Sequence, residues 1–153
     1  MKEDSCESPF HDDEPTVPGV RHPSRPQPAR SAMHAVLVVD LDTEVANLLE
    51  QRFEPGRYEL HCSDTLEHAR GMLATVLYSV VIVNTLFVRS EAEQWRLVRY
   101  VRAQSARTRV LFLRPLRAYA SGFRDGFAGD ALLPRSTDPA TMVRVVEQLS
   151  AQQ

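Results

Sequence analysis

The sequence predicts an α/β fold: a three-layer, doubly wound sheet of five parallel strands over residues 34–153. Short, fully apolar runs alternate with amphipathic segments from residue 35 onward, which is typical of parallel strands separated by helices. The hydrophobic share of 43% in a chain of 153 residues is enough to bury one core. Five strand–helix units in succession therefore indicate one sheet with helices on both faces.

The apolar runs place the strands at regular intervals. They cover residues 35–40, 58–63, 79–84, 109–113 and 131–133. The first helix begins at Asp42 or Thr43 and ends before Pro55 and Gly56. Its predicted inward face carries four apolar residues, Val45, Leu48, Leu49 and Phe53.

Capping residues place the start of the second helix and of the last helix. Asp64 is the expected N-cap of the second helix, and Glu67 is expected to complete a capping box with it. Asp138 is the expected N-cap of the last helix, where Pro139 occupies the first turn.

Helical spacing places two further helices between the third and fifth strands. Trp95 and Val98, followed by Val101 or Arg102, fall at this spacing in a helix over residues 91–104. A fourth helix over residues 119–127 carries aromatic residues four positions apart, Tyr119, Phe123 and Phe127. These aromatic residues are either part of the core or exposed contacts for a partner.

Residues 1–33 differ from the rest in composition. They contain six of the ten prolines and almost no apolar residues, so we expect a disordered, charged tail. Six acidic and four basic residues in this tail account for the formal charge of −2, which leaves residues 34–153 neutral. A neutral domain has no basic footprint for nucleic acid, and we expect no nucleic-acid partner.

Targeting signals are not evident in the sequence. Its apolar runs are much shorter than the roughly 20 residues that span a bilayer. The N-terminus has neither the basic start nor the apolar stretch of a secretory signal. We therefore expect no membrane insertion and a cytoplasmic location.

Polar residues at two strand ends carry a resemblance to a known family. The first strand and its end read VLVVDLD, and the third reads SVVIVN. With the order of elements, residues 34–153 resemble the CheY-like receiver domain of bacterial response regulators. Asp40 matches the first of two adjacent acids in that family, and Leu41 replaces the second. We expect Asp42 to face away from Asp40, because side chains at adjacent positions diverge at a strand end. Asn84 stands where the family has its phospho-accepting aspartate.

Two basic residues complete this comparison. Arg114 replaces the strand-four threonine or serine of the family, and Arg135 lines up with its strand-five lysine. The resemblance thus implies a degenerate phosphorylation pocket formed by Asp40, Leu41, Asn84, Arg114 and Arg135. Receivers use carboxylates to hold Mg²⁺ and to attack the phosphoryl group, whereas an amide is a poor nucleophile and a weak metal ligand. We expect no metal, no cofactor and no enzymatic activity.

The changes at these positions resemble the pseudo-receiver class. The leading interpretation is a phosphorylation-independent interaction or adaptor module in bacterial signalling. A protein partner or a second copy would dock on the face formed by the predicted fourth helix, the fifth strand and the last helix. Tyr119, Phe123 and Arg135 are the candidate contacts on this face.

Other interpretations stay open at the level of sequence. The pocket could bind a small anionic ligand, with Arg114 and Arg135 as its cations. Arg114 either reaches Asp40 and the Asn84 carbonyl, replacing the charge of Mg²⁺, or lies on the surface with its stem on apolar neighbours. A flavodoxin-like enzyme would share the sheet, but the sequence offers no nucleophile–base pair for one.

Overall fold

A computed structural model describes residues 33–115 and 128–152 of the chain. The described strands are β1 (His34–Val39), β2 (Tyr58–Ser63), β3 (Val80–Asn84), β4 (Arg109–Arg114) and β5 (Ala131–Pro134). The described helices are α1 (Glu44–Glu50), α2 (Leu66–Thr75), α3 (Glu91–Gln104) and α4 (Pro139–Ala151), with a 3₁₀ helix at Thr85–Phe87.

The five strands form one parallel sheet in the order β2-β1-β3-β4-β5. This sheet confirms the predicted α/β fold class. The predicted helix over residues 119–127 lies outside the described residues, and so does the predicted tail up to residue 32.

Two apolar layers cover the sheet, one on each face. Helices α1 and α4 pack on one face, where alternate residues of β1, β3 and β4 meet Leu49 and Val146. Helices α2 and α3 pack on the other face, where the intervening strand residues meet Leu73 and Val101. Alternate strand residues point to opposite faces, so the central strands are apolar throughout.

The structure corrects the predicted cap of α2. Thr65, and not Asp64, is the N-cap, and its hydroxyl accepts a hydrogen bond from the backbone N–H of His68 at 3.2 Å. The helix therefore begins one residue later than predicted, which places Glu67 too early in the first turn to complete a capping box. At α4 the prediction is confirmed, because the Asp138 side chain accepts from Thr141 N and Pro139 opens the helix.

Leu48, which was predicted on an inward helix face, is exposed, and so is Trp95. Leu48 of α1 is 37% exposed and Trp95 of α3 is 43% exposed. The buried side of α3 instead includes Gln94 and Leu97. Val98 and Val101, predicted at the same helical spacing as Trp95, are buried, so only the indole of Trp95 departs from this set and lies exposed.

No helix within residues 33–115 and 128–152 combines the length and the apolar character needed to cross a membrane.

Gly129 allows the segment before β5 to approach the core closely. A Cβ atom there would lie 2.7 Å from Cδ2 of Phe112 and 3.0 Å from the Val110 carbonyl oxygen. Since Phe112 is fully buried, its ring has no room to move away. We expect Gly129→Ala to lower the free energy of unfolding by about 1–3 kcal/mol, measured by urea denaturation.

Gly71→Ala is the matched control for Gly129→Ala. Gly71 lies in α2, and a methyl group added there would meet nothing within 4 Å. Alanine at this position should therefore stabilise the helix by about 0.5–1 kcal/mol. Equal effects of the two substitutions would contradict the close approach at Gly129.

Candidate functional site

The candidate site lies where the order of strands reverses direction. Strands β1 and β3 are neighbours, but the helices that follow them, α1 and α3, lie on opposite faces of the sheet. The loops after these strands therefore diverge and open a crevice at the carboxyl ends of the strands. Asp40 follows β1 directly, and Asn84 is the last residue of β3.

Asp40 is a buried carboxylate with partners at both oxygens. Asp40 is only 3% exposed. Oδ1 accepts hydrogen bonds from the backbone N–H of Leu41 at 2.7 Å and from Nδ2 of Asn84 at 2.9 Å. Oδ2 accepts from Nε of Arg135 at 3.1 Å. These bonds supply the stabilisation that a carboxylate loses when it leaves water.

Asn84 uses both ends of its side-chain amide. While Nδ2 donates to Asp40, Oδ1 accepts from the backbone N–H of Leu86 at 3.0 Å and caps the 3₁₀ helix. Asn84 is 2% exposed, so a lost bond would not be replaced readily by water. An ionised aspartate could accept from Leu86 but has no proton to donate to Asp40.

Arg135 brings a positive charge to this pair from the loop after β5. Its Nη2 donates to both oxygens of Asp42 at 2.9 Å, and its Nη1 lies 3.7 Å from Oε2 of Glu44. Burial by itself would lower the pKa of the guanidinium, but the hydrogen bond and charge of Asp40, followed by those of Asp42, raise the pKa above its ordinary value. Arg135 therefore stays charged and held by acidic side chains.

The structure brings together three of the residues singled out in the sequence, Asp40, Asn84 and Arg135. Arg135 donates to Asp40, a contact that the sequence analysis considered as one of two alternatives for Arg114. Arg114, the half-buried last residue of β4, accepts a backbone hydrogen bond from Arg135 N at 2.8 Å. The side chain of Leu41 is exposed, and Tyr119 and Phe123 lie outside the described residues.

Two acidic residues of the site were missed in the sequence. Asp42 was expected to face away from Asp40, but it shares the Arg135 guanidinium with it. The expectation relied on alternation along a strand, and β1 ends at Val39, so alternation no longer applies at Asp42. Glu44, at the start of α1, carried no signal beyond being an acid in a first helical turn.

The side chains present do not fit a divalent cation of the kind that receivers hold with carboxylates. Both Asp40 oxygens and both Asp42 oxygens already accept hydrogen bonds, and the guanidinium of Arg135 lies between them. Hard cations need several oxygen ligands that converge on one point. Among residues 33–115 and 128–152, no group of three or more histidine, cysteine, aspartate or glutamate side chains is arranged to hold a metal ion.

The same contacts weigh against binding of a small anion at Arg135. Its guanidinium is already engaged by Asp40 and Asp42, with Glu44 close by. A free anion would have to displace carboxylates that are held by the fold at high local concentration.

We expect Asn84→Asp to destabilise the protein. The substitution removes the donor to Asp40 and places two carboxylates within hydrogen-bond distance, at a cost of about 1–3 kcal/mol at neutral pH. Below about pH 5 one carboxyl can hold a proton and restore a donor, so the deficit should narrow. Denaturant unfolding of both proteins as a function of pH measures this deficit.

Asn47→Asp serves as the control for the change of amide to acid. Asn47 is exposed in α1, and its only described side-chain bond is a 3.4 Å contact with Thr43 Oγ1. An acid near this helix start should be close to neutral for stability. If the stability deficit of the Asn84→Asp protein were independent of pH, the proposed clash of carboxylates would be contradicted.

Solved structures share this fold. The chain is similar to a proposed response regulator of Chloroflexus aurantiacus J-10-fl, with 24% identity and a TM-score of 0.59 over 78% of this chain and 98% of the other. A response regulator from Thermotoga maritima gives 16% identity and a TM-score of 0.60 over 78% and 98%. A response regulator from Burkholderia pseudomallei, solved with a phosphorylated aspartic acid, calcium and citrate, gives 14% and 0.54 over 78% and 69%.

These neighbours agree with the resemblance seen in the sequence. No family model matches the chain, and no curated protein matches it by sequence. The likeness is thus one of fold: the five-stranded parallel sheet and its helices are those of the receiver domains of response regulators.

Proposed function

We propose that the chain is a phosphorylation-independent pseudo-receiver that acts as a protein-interaction or regulatory adaptor module in bacterial signalling. The observation that carries the proposal is the hydrogen-bonded set of Asp40, Asn84 and Arg135. In this proposal residues 34–153 form the receiver-like domain, which follows a disordered tail. The module acts in the cytoplasm by association and not by catalysis.

The chemistry of residue 84 supports the loss of phosphotransfer. The nitrogen of an amide side chain carries hydrogens and no available lone pair, so it does not attack a phosphoryl group. Its oxygen accepts from Leu86 N, and its nitrogen donates to Asp40. Both the oxygen and the nitrogen of the Asn84 side chain are therefore engaged in hydrogen bonds within the protein.

The charge of Arg135 supports a site that is complete without an added cation. Phosphoryl transfer needs positive charge at the transferred group, which receivers obtain from a metal held by carboxylates. Here the guanidinium of Arg135, from the same chain, neutralises the carboxylates of Asp40 and Asp42. An arginine cannot leave the site as a metal ion can.

An exposed cleft beside Arg135 supports an interaction surface near β5. It is lined by Leu48, Pro115, Arg135 and Ser136, together with Glu44 and Val45, and has a volume of about 230 Å³. Exposed apolar side chains next to a charged one are typical of docking sites. We propose that a partner protein or a second copy docks on this side, with Tyr119 and Phe123 as further contacts.

Beryllofluoride with Mg²⁺ tests phosphorylation independence, because it forms an acyl-phosphate mimic only on a suitable carboxylate. We expect no saturable change in the backbone amide NMR signals of Asp40, Leu41, Asn84 and Leu86. The response regulator from Burkholderia pseudomallei is the positive control, since its structure contains a phosphorylated aspartic acid. Saturable shifts around Asn84 would disprove the proposal.

Affinity capture from the native cell extract tests the adaptor role. We expect the full chain and a chain that begins at His34 to retain the same partner, and Arg135→Ala and Tyr119→Ala to lose it. Arg107→Ala, an exposed change in the turn before β4 and away from this face, is the control and should retain it. If only the full chain retains a partner, the tail carries recognition and the proposed face is wrong.

A further inference from the structure

The outer face of α3 carries an exposed indole beside two arginines. Ala92, Trp95, Arg96 and Arg99 recur at intervals of three and four, so they lie on one side of the helix. They line a shallow cleft, which we call the α3 face. Trp95 is 43% exposed, although the opposite side of the same helix is packed in the core.

The charges on the α3 face are not compensated within the described part of the chain. Arg96 and Arg99 are exposed and form no ion pair or hydrogen bond with a residue of 33–115 or 128–152. In contrast, Arg102, one turn further along, pairs with Asp130 at 3.1 Å. The α3 face therefore presents two positive charges to solvent.

The acidic residues of α3 are engaged within their own helix. Glu93 completes the capping box with Ser90. Glu91 Oε1 accepts from Nε1 of Trp95 at 3.4 Å, which orients the indole. Neither carboxylate is positioned to neutralise the exposed guanidinium groups, and the indole is held in place before any partner arrives.

We propose that the α3 face docks an acidic peptide segment of a partner protein, with an apolar side chain between its carboxylates. The guanidinium forks of Arg96 and Arg99 suit carboxylates, which they can bind with two parallel hydrogen bonds. The small side chain of Ala92 leaves the indole of Trp95 accessible to an apolar group. Tryptophan and arginine are also the residue types most enriched among energetically dominant interface contacts.

Other occupants fit the α3 face less well. A nucleic acid commonly needs on the order of six to ten phosphate contacts, and the face offers two guanidinium groups on one helix. A second copy would bring like charges together, because each face carries the same uncompensated arginines. The proposal does not depend on the site at Asp40 and Asn84, and it adds a second surface through which the module could bridge two proteins.

A synthetic peptide of glutamates around one central leucine is the probe. The full chain is titrated with the fluorescein-labelled peptide and binding is measured by anisotropy. The fluorescence of Trp95, the only tryptophan in the chain, gives a second readout at the face itself. We expect saturable binding, a change in Trp95 emission, and weaker binding as salt concentration rises.

Single substitutions locate the binding. We expect Arg96→Glu and Arg99→Glu each to weaken peptide binding about tenfold, and Trp95→Ala to do the same. Trp95→Phe should retain most of the affinity, which separates loss of the contact from loss of folding. Arg52→Glu is the matched control, because Arg52 is exposed just after α1, on the other face of the sheet.

Several results would overturn the proposal. Equal affinities of the α3-face variants and the Arg52 control would place binding elsewhere. Equal binding of a peptide with glutamine in place of glutamate would remove the role of the arginines. Equally tight binding of single-stranded DNA of the same charge would indicate a general polyanion surface. Dimerisation of the unliganded chain that Trp95→Ala abolishes would assign the face to a second copy.

Discussion

The buried carboxylate of Asp40 is the constraint on which the arrangement of the crevice depends. An ionised group that is 3% exposed must recover several kcal/mol of lost hydration from its neighbours. Asp40 recovers it from its own loop through Leu41 N, from β3 through Asn84, and from the loop after β5 through Arg135. The carboxyl ends of three strands are thereby held in one position relative to each other.

Much of the fold could be predicted from the sequence because it depends on patterns that extend over many residues. Continuous apolar runs identify strands that are covered on both faces, and their order identifies a parallel sheet. The polar residues that end two such runs, Asp40 and Asn84, necessarily meet when the strands are neighbours, as β1 and β3 are. The core of the candidate site was therefore visible as well.

Other features of the site and of α3 depend on side-chain geometry, which the spacing of apolar residues in the sequence does not specify. The hydrogen bond from Arg135 to Asp40 depends on the direction that a long, flexible side chain takes after β5. Asp42 lies beyond the last residue of β1, where the alternation of a strand stops. Helical spacing grouped Trp95 with Val98 and Val101, but only the two valines of this group are buried, together with Leu97 and Gln94.

The arginines on the two proposed surfaces differ in whether acidic side chains of the same chain neutralise them. The two surfaces are the cleft beside Arg135 and the α3 face. Arg135 has its charge satisfied by Asp40 and Asp42, so it contributes to the proposed docking side mainly through the shape of the cleft that it lines. Arg96 and Arg99 lack such partners among the described residues, and they lie beside an indole whose Nε1 donates a hydrogen bond to Glu91. A negatively charged partner gains most where positive charge has not yet been neutralised. We therefore propose that acidic groups are recognised at the exposed helix α3, whereas in the crevice the side chains of Asp40, Asn84 and Arg135 bind one another.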